Sequence, residues 1–284
     1  LIGLTERTPP MYTQLDCLRA EGDRSPVVFI HGFPDSPQMF ERYYAPEERD
    51  QAWLQGRPIY TIAFPNRFTN PNYPPLRALM GEVLQAEVEQ LLTKVIAESP
   101  TGQIVPVVHD WGATCTWKFI RRRGTAGIEK MVAFSVASSF RYDVWDQGLR
   151  ALGWAYSALF GSAWIIRIPA YQRFVTYMIT KFGGYKSEQD DTLWKDCYHY
   201  WYGFIRLLIL PTDLIGLRYR PAFTDFSFPV LFIRSPYDRL PSNAAFEEAL
   251  RARADCRFII YPDANHWFPE QHAERTLREV RTFV

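Results

Sequence analysis

An α/β fold built on a mostly parallel sheet is predicted by three features of this sequence. Short β-branched or apolar runs alternate with segments of helical periodicity. Several of the runs end abruptly in His, Asp or Gly, as His31-Gly32 and His109-Asp110 do. One long aromatic stretch then interrupts the alternation. The length of 284 residues, 47% of them hydrophobic, suits one such domain carrying an insertion.

The elements follow in order. Residues 12–19 read as an antiparallel edge strand. Strands are expected at 27–30, 59–64, 105–108, 131–137, 230–233 and 257–261. Residues 76–97 place Leu79, Val83, Leu91, Leu92 and Val95 near one helical face. Residues 111–123 follow a strand with no spacer. Helices 243–253 and 269–284 follow the last two strands. Residues 139–226 are rich in Tyr and Trp and show no strand pattern. An all-helical insertion there reads as a cap over the C-terminal ends of the strands, where open α/β sheets bind ligands. The expected division is core 1–138, cap 139–226 and core 227–284.

Composition narrows the function. Lys and Arg total 32 against 31 Asp and Glu, so no basic surface argues for nucleic acid. Arg121-Arg122-Arg123 is explained as favourable charge at a helix C-terminus. The run 151–166 is uncharged but broken by Gly153 and Gly161, and too short for stable membrane insertion. Residues 1–10 have no basic-then-apolar leader pattern, and Cys17, Cys115, Cys197 and Cys256 form no close pair. These features lead to the expectation of a reduced, cytoplasmic protein. No metal-ligand spacing appears, so neither metal nor cofactor is expected.

The chemistry concentrates at Val107-Val108-His109-Asp110-Trp111-Gly112-Ala113. A strand runs straight into a helix with a carboxylate at the junction and a Gly two residues on. This is a nucleophile-elbow arrangement with Asp where hydrolases usually have Ser. Taken alone, Asp110 reads better as a helix cap. Three further features favour the nucleophile. His31-Gly32-Phe33-Pro34 can turn the N–H of Phe33 toward the site, where with the N–H of Trp111 it forms an oxyanion hole. Asp238 follows the strand 230–233. His266 follows the last strand. The order nucleophile, acid, His suits a catalytic triad.

These motifs, His31-Gly32-Phe33-Pro34, His109-Asp110-Trp111-Gly112 and Asn265-His266-Trp267, resemble the epoxide hydrolase branch of the α/β-hydrolase fold superfamily. The resemblance covers nearly the whole chain. It implies two cap tyrosines that hold the epoxide oxygen. Tyr202, in Tyr200-Trp201-Tyr202, matches the second; the first is Tyr156, with Tyr171 as the alternative. The chain departs from the family in its 65–71 loop, in Val108 and in Gly203.

An Asp nucleophile suits an sp³ carbon, because its product is an ordinary alkyl ester, whereas attack on an ester gives an anhydride. The expected activity is therefore opening of a small apolar epoxide by water to a vicinal diol. The ester of Asp110 would be hydrolysed by water activated by His266 and Asp238. Haloalkane dehalogenation with the same nucleophile, or ligand binding without catalysis, are the alternatives.

Overall fold

The computed structural model describes residues 11–75, 82–138, 147–181, 184–185, 192–201, 223–236 and 244–284. Seven strands form one sheet: β1 (Gln14–Arg19), β2 (Val27–Ile30), β3 (Ile59–Ala63), β4 (Val105–His109), β5 (Met131–Phe134), β6 (Val230–Arg234) and β7 (Arg257–Ile260). Their order is β1-β3-β2-β4-β5-β6-β7. Only β1 runs antiparallel, against β3; every other pairing is parallel. The central strands are covered on both faces, so they read as continuous apolar runs rather than alternating ones. All four residues of β2 are fully buried.

Alternation decides which face each side chain serves. Val28, Ile30, Val108 and Phe232 join one core with Val88, Leu92, Phe119 and Phe246. These come from helices α1 (Val83–Glu98), α2 (Trp111–Arg123) and a third, Ala244–Arg251. Val27, Phe29, Val107 and Ile233 join the opposite core with Phe40, Trp53, Phe268 and Leu277.

Between β5 and β6 lie α3 (Gln147–Ile165), α4 (Pro169–Lys181) and a short 3₁₀ helix, Leu193–Cys197. No strand occurs there among the described residues. These inserted helices build a third apolar cluster, in which Val175, Ile179, Leu193 and Cys197 pack with Phe33 and Trp267. Phe33 and Trp267 belong to loops at the C-terminal sheet edge, so the insertion sits on that edge. After β6 comes α5 (Ala244–Arg251), and the chain ends in α6 (Phe268–Gln271) and α7 (Ala273–Phe283).

Several boundaries shift by a few residues from expectation, and two of the shifts have a visible cause. β5 stops at Phe134 because Ser135 adopts a positive φ of 68°. The continuous helix expected over 269–284 is two helices, broken where His272 leaves helical geometry at φ −121°, ψ 40°.

Candidate active site

Asp110 occupies the sharp turn between β4 and α2. Its φ of 46° and ψ of −113° are unusual for a residue with a Cβ. Such a conformation costs about 1–3 kcal/mol and persists only where the surroundings enforce it. The enforcement is visible. A Cβ added to Gly112 would lie 2.3 Å from the Ile30 carbonyl oxygen, and one added to Gly32 would lie 2.5 Å from the Asp110 Cβ. Both glycines thus let the two strand-ending loops close on each other.

The Asp110 side chain makes no capping bond to its own helix. Instead its Oδ2 accepts a hydrogen bond from the Phe33 N–H at 3.0 Å. The expected donor therefore already touches a carboxylate oxygen at the place where negative charge would develop. His266 approaches from the loop after β7, with Nε2 4.0 Å from Asp110 Oδ1. Both side chains are mostly buried.

Neighbouring histidines hold this frame. His109 Nε2 donates to the His266 carbonyl at 3.0 Å, and Ser135 Oγ donates to the same oxygen at 3.4 Å. Burial first, and the nearby His266 second, depress the basicity of His109 far below the ordinary range. His31 donates from Nδ1 to the Gly32 carbonyl and accepts the Phe64 N–H at Nε2. Its burial lowers its pKa to about 4, so it stays neutral and can serve as acceptor.

Aromatic rings cover the elbow. Trp111 stacks on His199 at 5.2 Å, and Tyr200 meets Phe33 edge-to-face at 4.7 Å and Trp111 at 6.4 Å. The structure thus brings Asp110, His266, Phe33 and Trp111 together. Asp238 and Tyr202 lie outside the described residues, as does the side chain of Tyr156, whose backbone belongs to α3. The Tyr171 hydroxyl donates to the Leu159 carbonyl and pairs with Ser162, so it is engaged within the insertion.

Two features were missed in the sequence. Tyr200 is the tyrosine that packs on Phe33 and Trp111. Its signal was the Tyr200-Trp201-Tyr202 run itself, which offers two tyrosines and not one. The second is a buried polar chain beneath the insertion. Arg67 pairs with Asp196 and donates to the Pro34 carbonyl at 2.7 Å and the Tyr185 hydroxyl at 3.3 Å. Tyr185 also lies near Asp35, where it favours the charged carboxylate. Burial draws the Arg67 guanidinium down, but Asp196 and Tyr185 together more than offset it, so Arg67 stays charged. Burial and then Glu270 push the Asp35 carboxyl up to about 8, and its Oδ2 is buried without a hydrogen-bond partner.

A seven-stranded sheet, an elbow after β4 and a His after the last strand define an α/β hydrolase. The sequence matches the profile of the alpha/beta hydrolase family over residues 27–279, and the chain belongs to that family. Solved structures agree on the fold. An epoxide hydrolase from Bacillus megaterium superposes with a TM-score of 0.63 at 17% identity, covering 95% of this chain and 96% of that one. A haloalkane dehalogenase from Bradyrhizobium elkanii gives 0.61 at 14% identity, over 95% and 96% of the chains. An esterase from Thermogutta terrifontis gives 0.56 at 15% identity, over 95% and 92%. A 2-(acetamidomethylene)succinate hydrolase from Mesorhizobium japonicum is 34% identical over 75 residues, which is 26% of this chain and 25% of that protein.

Proposed function

We propose that this hydrolase opens an epoxide to a vicinal diol through an alkyl ester of Asp110. One observation carries the reading: a carboxylate, rather than a hydroxyl, occupies the elbow, with one oxygen on the Phe33 N–H and the other facing His266 Nε2 at 4.0 Å. The elbow residue selects the electrophile, and a carboxylate selects an alkyl carbon.

In the cycle, Asp110 Oδ1 attacks an epoxide carbon and the ring C–O bond breaks. The departing oxygen takes a proton from a tyrosine of the insertion, which acts as a cap. Tyr202 and Tyr156 are the proposed donors, on the strength of the family resemblance, and Tyr200 joins them on the strength of its packing against Phe33 and Trp111. His266, held by Asp238, then takes a proton from water as that water attacks the ester carbonyl. The 4.0 Å gap between His266 and Asp110 is too long for a direct hydrogen bond between them. The N–H groups of Phe33 and Trp111 stabilise the oxyanion, each worth roughly 3–4 kcal/mol where such donors have been removed. Collapse of the tetrahedral species breaks the bond from the carbonyl carbon to the alkyl oxygen, which takes the proton from His266; the acid proton left on Asp110 restores the tyrosine, and the diol leaves. Water is the only co-reactant.

The Bacillus megaterium relative is an epoxide hydrolase, which is compatible with this reading at the level of the fold. A single turnover of a styrene-oxide-like probe in heavy-oxygen water tests it directly. The expected result is diol as product with the label in Asp110. Label confined to the first-turnover product would exclude the ester. Halide release from haloalkanes with no diol formed from epoxides would assign the dehalogenase chemistry instead. His266→Gln is expected to retain alkylation and stall at the ester, visible as a mass increase on the peptide carrying Asp110.

A further inference from the structure

The outward side of the insertion has no role in that cycle, and its composition is unusual. Eight large hydrophobic side chains are exposed among the described residues, and five of them fall between positions 165 and 177. Ile165, Ile166, Ile168, Phe174 and Tyr177 each leave 37–57% of their surface uncovered. The three isoleucines mark the corner where α3 ends and α4 begins. Phe174 and Tyr177, three residues apart, lie on one outward face of α4. The opposite face of α4 is spent on the interior, through Val175 and Ile179.

The charges carried by this stretch have one sign. Arg167, Arg173 and Lys181 are all exposed. Residues 147–181 contain Arg150 besides these three, and no Asp or Glu at all. In a chain with 32 basic and 31 acidic residues, an acid-free stretch of this kind beside exposed isoleucines is a local feature. Apolar side chains rimmed by cations fit the boundary of an anionic bilayer: the apolar groups enter the headgroup region, while Arg and Lys extend to the phosphates. A second copy of this chain fits poorly, because a two-fold contact would set the same cations against each other. Among the described residues no helix is long and apolar enough to cross a membrane, so the contact is with the surface.

We infer that the Ile165–Tyr177 face of α3 and α4 docks this protein on an anionic lipid surface. The proposal does not rest on the epoxide reading, and its test needs no substrate. The full chain is floated with phosphatidylglycerol vesicles and, separately, phosphatidylcholine vesicles. Binding to the first, weakened by salt, and none to the second is expected. Arg167→Gln with Arg173→Gln should weaken partitioning roughly thirty-fold, since each surface cation contributes about a five-fold factor. Ile168→Ser with Phe174→Ser should weaken it at least about ten-fold even at low salt. These positions are exposed, and unchanged circular dichroism verifies that each variant folds. No binding of the parent to phosphatidylglycerol, equal binding to both vesicles, or variants that bind like the parent would each overturn the proposal. So would a concentration-dependent dimer, abolished by Ile168→Ser with Phe174→Ser, in a protein that ignores vesicles; that outcome would assign the face to a second copy.

Discussion

Gly32 and Gly112 both admit close backbone approach near Asp110, yet they protect different things. A methyl group at Gly32 meets Asp110 itself, 2.5 Å from Cβ and 2.9 Å from Oδ2. Relieving such a contact requires moving the carboxylate by close to an ångström, and misplacement of that order costs roughly 10²-fold in rate. A methyl group at Gly112 meets backbone, 2.3 Å from the Ile30 carbonyl oxygen and 2.7 Å from that of His31. Backbone between two central strands cannot yield so easily, and overpacking of this kind costs about 1–3 kcal/mol or more. Gly32→Ala should therefore lose activity with little change in its urea midpoint, while Gly112→Ala should lose stability first. Steady-state rates on an epoxide probe, read beside urea unfolding curves, separate the two. Equal loss of stability in both variants would show that Gly32 serves packing rather than the position of Asp110.

The join between insertion and core depends on a few polar contacts at the level of elements. Asp196, in the 3₁₀ helix, takes the Arg67 guanidinium, the Arg67 N–H at 3.1 Å and the Tyr73 hydroxyl at 2.8 Å. Tyr198 adds a bond to the Pro65 carbonyl at 2.8 Å. Both Arg67 and Asp196 side chains are almost wholly buried. Asp196→Ala would remove a buried charge partner of the Arg67 guanidinium, a loss of roughly 3–5 kcal/mol. Faster amide exchange concentrated in residues 192–201 would locate that loss at the join; exchange that rises evenly over the sheet would not fit. None of this was legible in the sequence. Arg67 and Asp196 lie 129 positions apart, and nothing local marks either as a partner. The strands were legible because each central one is buried on both faces and so reads as an apolar run. Asp110 and His266 were legible because each follows the end of such a run. The end of β5 was not, since Val136 and Ala137 carry the apolar run on past Ser135. The turn there is fixed by Ser135, whose N–H donates to the Ile233 carbonyl and whose Oγ reaches the His266 carbonyl. The break at His272 was hidden for a similar reason, because no Gly or Pro stands at that position.

Across the whole molecule, buried titratable groups set opposing limits on stability. His31 is held neutral, with its pKa lowered to about 4 from an ordinary 6.5. Its contribution is complete above pH 6.5 and is lost as pH falls through 4. Burial lowers His109 and His199 in the same direction. Asp35 acts oppositely. Its carboxyl binds a proton in the folded state up to about pH 8, whereas an unfolded Asp releases it near 3.8. The folded state therefore binds more protons throughout that window, and stability falls as pH rises across it. The contribution of Asp35 is full below 3.8 and gone above about 8. Glu270, raised by burial, pulls the same way. Asp35→Asn keeps the shape of the side chain and removes the titration. The variant should thus gain on the parent progressively from about pH 4 to pH 8 and hold a constant advantage beyond. Urea midpoints of the two proteins, measured at pH 5, 7 and 9, check the slope. Parallel curves would mean that Asp35 is ionised in the fold and that Arg67, acting through Tyr185, outweighs burial; a gap that opens with pH would place a neutral carboxyl beneath the insertion at pH 7.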